Sequence, residues 1–328
     1  MLVLVAPGQG AQTPGFLSPW LELPGVADRL GAWSDAIELD LVHFGTEGTA
    51  EEILDTSVAQ PLLVAAGLIS ARALRESDES SGPVRIGAVA GHSVGELTAA
   101  AVAGVLSEEE ALRVVRRRGL AMAEAAAKVR TGMAAVLGGD QDEVVAHLEK
   151  LGLTPANVNG AGQIVAAGTV EQLEALKADK PAGARVVAVK VAGAFHTEHM
   201  APAVESLRQA VEELSPRPAS IPLVSNRDGR LLTDGAEFIE RLVAQVANPV
   251  RWDLCMETFA AQGATALIEL CPAGTLAGIA RRAMPEVARG TLKTPADLAA
   301  AHALAVEHGI EDGTAGQDGA VGQEGTTV

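Results

Sequence analysis

Residues 84 to 104 constrain this chain more than any other stretch. Val84, Ile86, Ala88, Val89 and Ala90 form an apolar, β-compatible run that enters Gly91-His92-Ser93-Val94-Gly95 and leaves through the helical pattern Leu97-Thr98-Ala99-Ala100-Ala101-Val102. A strand, a sharp turn and a helix in that order call for an α/β scaffold, with the turn at the carboxyl end of a strand. A serine on such a turn sits in strained backbone with its hydroxyl exposed, and the flanking glycines let strand and helix approach without Cβ clashes. The next N–H, from Val94, points out of the helix N-terminus, where unpaired donors favour developing negative charge. One turn therefore offers a nucleophile and half of an oxyanion hole.

Composition removes several function classes. The chain has 328 residues, 48% of them hydrophobic, enough for a large core in one large or two moderate domains. A net charge of −17 argues against a nucleic-acid or anionic-membrane binder. No apolar run approaches the ~20 residues that span a bilayer. Met1-Leu2-Val3-Leu4-Val5 lacks a basic flank and gives way to Pro7-Gly8, so it reads as a first strand rather than an export signal. Cys255 and Cys271 are too few for a disulfide framework and lack metal-ligand spacing, which favours a reducing, cytoplasmic setting.

The order of elements suggests two units. The strand Leu2 to Ala6 ends in the glycine-rich loop Pro7-Gly8-Gln9-Gly10-Ala11-Gln12, and a helix runs from Gln60-Pro61 to Leu74, with Pro61 near its first turn. Ser77 to Pro83 is a polar connector, and Ser107 caps a long helix that contains Arg116-Arg117-Arg118. From Met133 to Val191 the pattern is β-α-β-β-α-β, the ferredoxin-like split unit, with a turn at Asn159-Gly160-Ala161-Gly162. These patterns divide the chain into a catalytic unit at 1–128 and 193–310, an inserted subdomain at 129–192 and a disordered acidic tail at 311–328.

Ser93 needs a base, since a hydroxyl is a weak nucleophile until a histidine takes its proton. His196, on the turn Gly193-Ala194-Phe195-His196 after a strand, is the best placed of seven histidines. His92 adjoins Ser93 on the same turn, while His43, His147 and His308 sit at polar helix ends. His196 and His199 match no zinc motif and have no evident third ligand, so no metal is expected. Three consecutive arginines span 200° of a helix, so one of Arg116, Arg117 and Arg118 can turn inward and grip a carboxylate through paired hydrogen bonds. Asn157, Asn159 and Gln163 mark a hairpin and by themselves specify little.

Together these motifs resemble the malonyl-CoA:acyl carrier protein transacylase family over about residues 2 to 290. The resemblance is carried by Pro7-Gly8-Gln9-Gly10-Ala11-Gln12, Gln60-Pro61, Gly91-His92-Ser93-Val94-Gly95-Glu96, Arg118-Gly119 with Met122, Asn157-Val158-Asn159 with Gly162-Gln163, Ala194-Phe195-His196 with Met200, and Gln245 with Asn248-Pro249-Val250 and Trp252. It implies an α/β-hydrolase-like large domain with a parallel sheet, an inserted ferredoxin-like small domain, and a site in the cleft between them. It further implies that Ser93 is acylated and His196 is its base, with the backbone carbonyl of Gln245 replacing a triad carboxylate. The N–H groups of Gln9 and Val94 would form the oxyanion hole, Arg118 would pair with the malonyl carboxylate, and His92, Asn157, Asn159 and Gln163 would line the site.

The implied reaction is malonyl transfer from malonyl-CoA to the phosphopantetheine thiol of acyl carrier protein, in fatty acid biosynthesis, by a cytoplasmic monomer with no cofactor. Lys190, Arg281 and Arg282 are candidates for the carrier-protein patch. The Gly-Ala-Phe-His form of the His196 turn resembles malonyl-selective members. Departures from the family pattern are Val94 for leucine, Ala11 for serine, and Cys271-Pro272-Ala273-Gly274 for Gly-Pro-Gly. Rival readings are a trans-acting acyltransferase of a polyketide pathway, a serine esterase or thioesterase with His302 or His308 as base, and a non-catalytic docking module.

Overall fold

The computed structural model describes residues 1–76, 84–191 and 193–309. The connector at Ser77 to Pro83 and the tail at 311–328 lie outside the described residues. The first part of the chain carries β1 (Leu2–Ala6), α1 (Val26–Ile37), α2 (Leu41–Thr46), α3 (Thr56–Glu76), β2 (Ala88–Gly91), α4 (Gly95–Val102) and α5 (Glu108–Lys128). A second run follows: β3 (Thr131–Gly138), α6 (Gln141–Lys150), β4 (Thr154–Gly160), β5 (Gln163–Thr169), α7 (Val170–Ala178) and β6 (Ala184–Val189). The chain then forms α8 (Ala201–Val211), β7 (Leu223–Val224), β8 (Leu231–Leu232), α9 (Gly235–Gln245), β9 (Val250–Arg251) and α10 (Trp252–Ala261). It closes with β10 (Ala266–Glu269), α11 (Thr275–Ala283), β11 (Ala288–Thr291) and α12 (Leu298–His308).

Two sheets organise this mixed α/β fold. The first has the order β11-β10-β1-β2-β7-β8, parallel except for the β7–β8 pair. Its central strands β1, β2 and β10 are buried throughout, which is why they read as unbroken apolar runs rather than as alternation. Ala6 stands opposite Gly91 in the β1–β2 register, so the Gln9 loop and the Ser93 turn leave neighbouring strands at the same edge. The second sheet has the order β6-β3-β5-β4-β9. Its first four strands are antiparallel, and α6 and α7 bury Val144, Leu148, Leu173 and Leu176 against it.

Several elements differ from the sequence-based expectation. The helix α3 begins at Thr56, so Pro61 lies inside it. Proline lacks the N–H that would bond to the carbonyl four residues back, at Ser57. Arg116 Nη1 donates to that carbonyl at 2.8 Å, and the helix continues through the gap. The same helix is long and apolar enough to cross a membrane by length and composition, contrary to the expectation that no such run exists, but 83% of that window is buried inside the protein. The strand β4 extends through Asn159 and Gly160, which moves the turn to Ala161 and Gly162, both at positive φ. The two-residue strand β9 pairs parallel with β4, so the second sheet draws one strand from outside 129–192.

The late turn at Cys271-Pro272-Ala273-Gly274 is held by the carboxyl group that precedes it. Glu269, at the end of β10, accepts from the N–H groups of Gly274, Leu276 and Ala277 and so caps α11. Cys271 is buried beside it, and burial pushes its thiol up to about 12.

Candidate active site

Ser93 occupies the turn between β2 and α4 with φ of +53°, a region that L residues rarely adopt and that raises its hydroxyl off the strand end. The turn closes only with glycine on both sides: a Cβ at Gly91 would overlap the Gly95 carbonyl, and one at Gly95 would overlap that of Ala6. The Ser93 N–H donates to Asn226 Oδ1 at 2.8 Å. Among the described residues, the N–H groups of Val94 and Gln9 have no acceptor. The Gln9 side chain is turned away, its Nε2 on the Leu54 carbonyl at 3.3 Å.

His196 is the histidine that meets Ser93, with Nε2 and Oγ 2.7 Å apart. It too has positive φ, +62°, and its N–H donates to the Val246 carbonyl. Its Nδ1 lies 2.9 Å from the backbone carbonyl of Gln245. A carbonyl only accepts, so Nδ1 carries the proton and Nε2 is left to accept from the serine hydroxyl. Burial, and next the Arg118 cation, hold the His196 imidazolium pKa down to about 3, so the ring is neutral at physiological pH. The alternative bases lie elsewhere: His308 Nδ1 faces Thr265 Oγ1, and His302 lines, with Ile69, Ala73 and Leu298, a cavity of about 1050 Å³.

Of the three arginines, Arg118 is the one that turns inward, at 1% exposure. Its Nη2 donates to Ser93 Oγ at 3.2 Å and to Gln245 Oε1 at 2.9 Å, and its Nη1 to Gln60 Oε1 at 2.7 Å. Its Nε is buried with no acceptor. Every partner is neutral, and among the described residues no carboxylate lies within ion-pair distance. Burial lowers the guanidinium pKa to about 10, with only Glu96 opposing. A buried cation with a free donor beside a nucleophile is suited to a substrate that brings its own carboxylate.

The remaining expected residues divide. His92 Nε2 lies 2.9 Å from Asn159 Oδ1, which ties β4 of the second sheet to the Ser93 turn, and the ring packs on Trp252 at 5.6 Å. Asn157 Oδ1 is buried without a partner. Gln163 is drawn off to Arg282, whose Nη2 donates to its Oε1 at 3.0 Å, and it meets none of the others. The structure adds Gln60, Glu96 and Asn226. Glu96 and Gln60 had a readable signal, a charged or amide side chain inside an otherwise apolar helical run. Asn226 opens a turn two residues before Asp228, where asparagine is an ordinary turn residue and carries no signal of its own.

This fold and this arrangement fit the acyltransferase class, and comparison with known proteins shows that class. Residues 3–302 match the acyl transferase domain model, and the chain belongs to that family. Among its members the chain is 51% identical over 298 residues to the malonyl CoA-acyl carrier protein transacylase of Mycobacterium tuberculosis, covering 91% of this chain and 98% of that one. The crystal structure of the transacylase from that organism superposes with a TM-score of 0.88 at 50% identity, over 92% of this chain and 99% of the other. A malonyl-transacylase solved in complex with its type II polyketide synthase acyl-carrier protein superposes with a TM-score of 0.85 at 29% identity, over 92% and 99%.

Proposed function

We propose that this protein is an acyl carrier protein S-malonyltransferase that carries the malonyl group on Ser93. The observation that bears the reading is the placement of one hydroxyl between a neutral imidazole, 2.7 Å away, and a buried guanidinium, 3.2 Å away. His196 Nε2 takes the Ser93 proton as Oγ attacks the thioester carbonyl of malonyl-CoA, and the oxyanion rests on the N–H groups of Gln9 and Val94. The C–S bond breaks, His196 returns the proton to the CoA sulfur, and malonyl-Ser93 is left. The phosphopantetheine thiol of the carrier protein then gives its proton to His196 and attacks the ester, and the proton passes back to Ser93 Oγ.

Arg118 holds the unreacting carboxylate throughout, with His92, Asn157 and Asn159 around it. Acetyl groups leave that cation unpaired and are disfavoured. The pair of matched relatives named for malonyl transfer supports the substrate, and the complex with an acyl-carrier protein supports the partner. A polyketide carrier fits the same chemistry as a fatty acid carrier, and turnover against each type of carrier decides between them. Arg281 and Arg282, in the last turn of α11, are the proposed carrier contact. No cofactor is required, and the reading places the enzyme in the cytoplasm as a monomer. We read the first sheet with its helices, 1–128 and 193–310, as α/β-hydrolase-like, and 129–192 as the ferredoxin-like insertion.

The test is malonyl transfer by Ser93→Ala. Transfer from malonyl-CoA to carrier protein is expected to fall to background, and transfer at the normal rate would overturn the mechanism.

A further inference from the structure

Beneath the Ser93 turn lies one charged side chain that touches neither the nucleophile's oxygen nor its base. Glu96, on the first turn of α4, is 1% exposed, and both of its oxygens accept: Oε1 from the backbone N–H of Asn226 at 2.7 Å, and Oε2 from Gln245 Nε2 at 2.6 Å. A carboxyl group this deep is unfavourable unless its bonds are complete, so what it holds explains its presence. Burial pushes its pKa up, while its bond from Asn226, the cations of Arg118 and Arg241, and its bond from Gln245 pull the other way; with an N–H donor on each oxygen and, among the described residues, no acceptor for a carboxyl proton, the geometry is that of the ionised group.

The two residues it holds reach the Ser93 turn, His196 and Arg118. Asn226 takes the Ser93 N–H on Oδ1 at 2.8 Å and gives Nδ2 to the Gly91 carbonyl at 2.7 Å, so it grips both ends of the turn. The Gln245 carboxamide lies between Arg118 and Glu96, with its oxygen toward the cation and its nitrogen toward the anion. The reverse orientation would set donor against donor and acceptor against acceptor, so the two charges select one orientation. Gln245 Nε2 also reaches the Ser93 carbonyl at 3.1 Å, and the main chain of this same residue supplies the carbonyl that orients His196.

Building on the mechanism above, we infer that Glu96 is a positioning residue: through Asn226 and Gln245 it sets Ser93, His196 and Arg118 in a single register. Glu96→Gln tests this, because an amide offers one acceptor and one donor where two donors already point. Per folded molecule, checked by circular dichroism, the rate of malonyl-Ser93 formation followed by quenched-flow intact mass should fall about 30-fold, with the KM for malonyl-CoA within about threefold of wild type.

Gln245→Leu removes the carboxamide and keeps the orienting carbonyl. Since Glu96 acts through it, the losses in the double variant should not multiply. Glu96→Asp keeps a buried carboxylate one methylene short and should lose only about fivefold, which serves if Glu96→Gln does not fold. Wild-type acylation rates in either Glu96 variant, or fully multiplicative losses in the cycle, overturn the positioning role. If the wild-type protein itself forms no malonyl-Ser93, the proposed function fails first; if it does and the Glu96 variants match it, only this inference fails.

Discussion

Among the described residues two arginines are buried, and their surroundings are opposite. Arg241 on α9 has ion pairs to Asp228 at 2.7 Å and Glu237 at 2.8 Å, and although burial opposes its charge, these partners hold its pKa above the usual value. Arg118 on α5 is more deeply buried, meets only the oxygens of Gln60, Gln245 and Ser93, and has its pKa pulled down by burial. One guanidinium is complete within the fold, and the other is held ready by neutral acceptors. Incompleteness of this kind marks a ligand position, because the missing counter-ion must come from outside.

The sharpest way to break the contrast is Arg118→Ala. The kcat/KM for malonyl-CoA should drop about 10³-fold while that for acetyl-CoA changes by less than about tenfold, since only malonyl presents a carboxylate. Equal losses would make Arg118 a structural residue like Arg241.

The unpaired cation also acts on its neighbour. With the His196 pKa held to about 3, far below the ordinary imidazole value, the ring stays neutral well below pH 6.5. The kcat/KM profile, which reports the free enzyme, should then stay flat from pH 7 to about 5, where an unshifted imidazole would already have lost about 30-fold. The same shift lowers stability in acid: the unfolded chain protonates His196 below its ordinary pKa while the folded protein resists until about 3, so stability contributed by the neutral ring fades as pH falls through that window. A urea-denaturation series across pH checks the sign.

Arg241→Ala should leave the malonyl-to-acetyl ratio unchanged and cost about 1 kcal/mol of stability, read from a denaturation midpoint, since Asp228 loses its ion pair while Glu237 keeps the one to Arg230. A comparably small effect is expected of Arg116→Met, which leaves the Ser57 carbonyl opposite Pro61 without its donor and should cost about 1 kcal/mol with catalysis intact.

Much of the site was legible because its residues interrupt their local patterns. Gly-His-Ser-Val-Gly between strand and helix signals an exposed serine, and a run of three arginines must present more than one direction, of which Arg118 is the buried one. His196 was visible as a histidine at a strand's end, but its pairing to the Gln245 carbonyl came from resemblance, since no side-chain pattern announces a backbone acceptor. The part played by the Gln245 carboxamide was not foreseen at all, and Gln60 and Glu96 were quoted within motifs without a role. Contacts across 58, 127 and 149 positions of sequence depend on tertiary packing that no local window contains.

The fold was readable to a similar depth. Long helices and buried strands followed from periodicity, whereas β9 has two residues, too few to show a period, and gains its identity by pairing with β4. Pro61 has a clear physical reason for its misplacement: proline suggests a helix start, whereas here the helix runs through it and the distant Arg116 takes the carbonyl it leaves unpaired.

The most direct test is the intact mass of the protein after brief exposure to an equimolar mixture of malonyl-CoA and acetyl-CoA, with the labelled residue identified by peptide mapping. Wild type should carry one malonyl group on Ser93, Ser93→Ala should carry none, and Arg118→Ala should lose the malonyl adduct selectively. A malonyl adduct on Ser93→Ala, or an Arg118→Ala protein that still chooses malonyl over acetyl, would contradict the account.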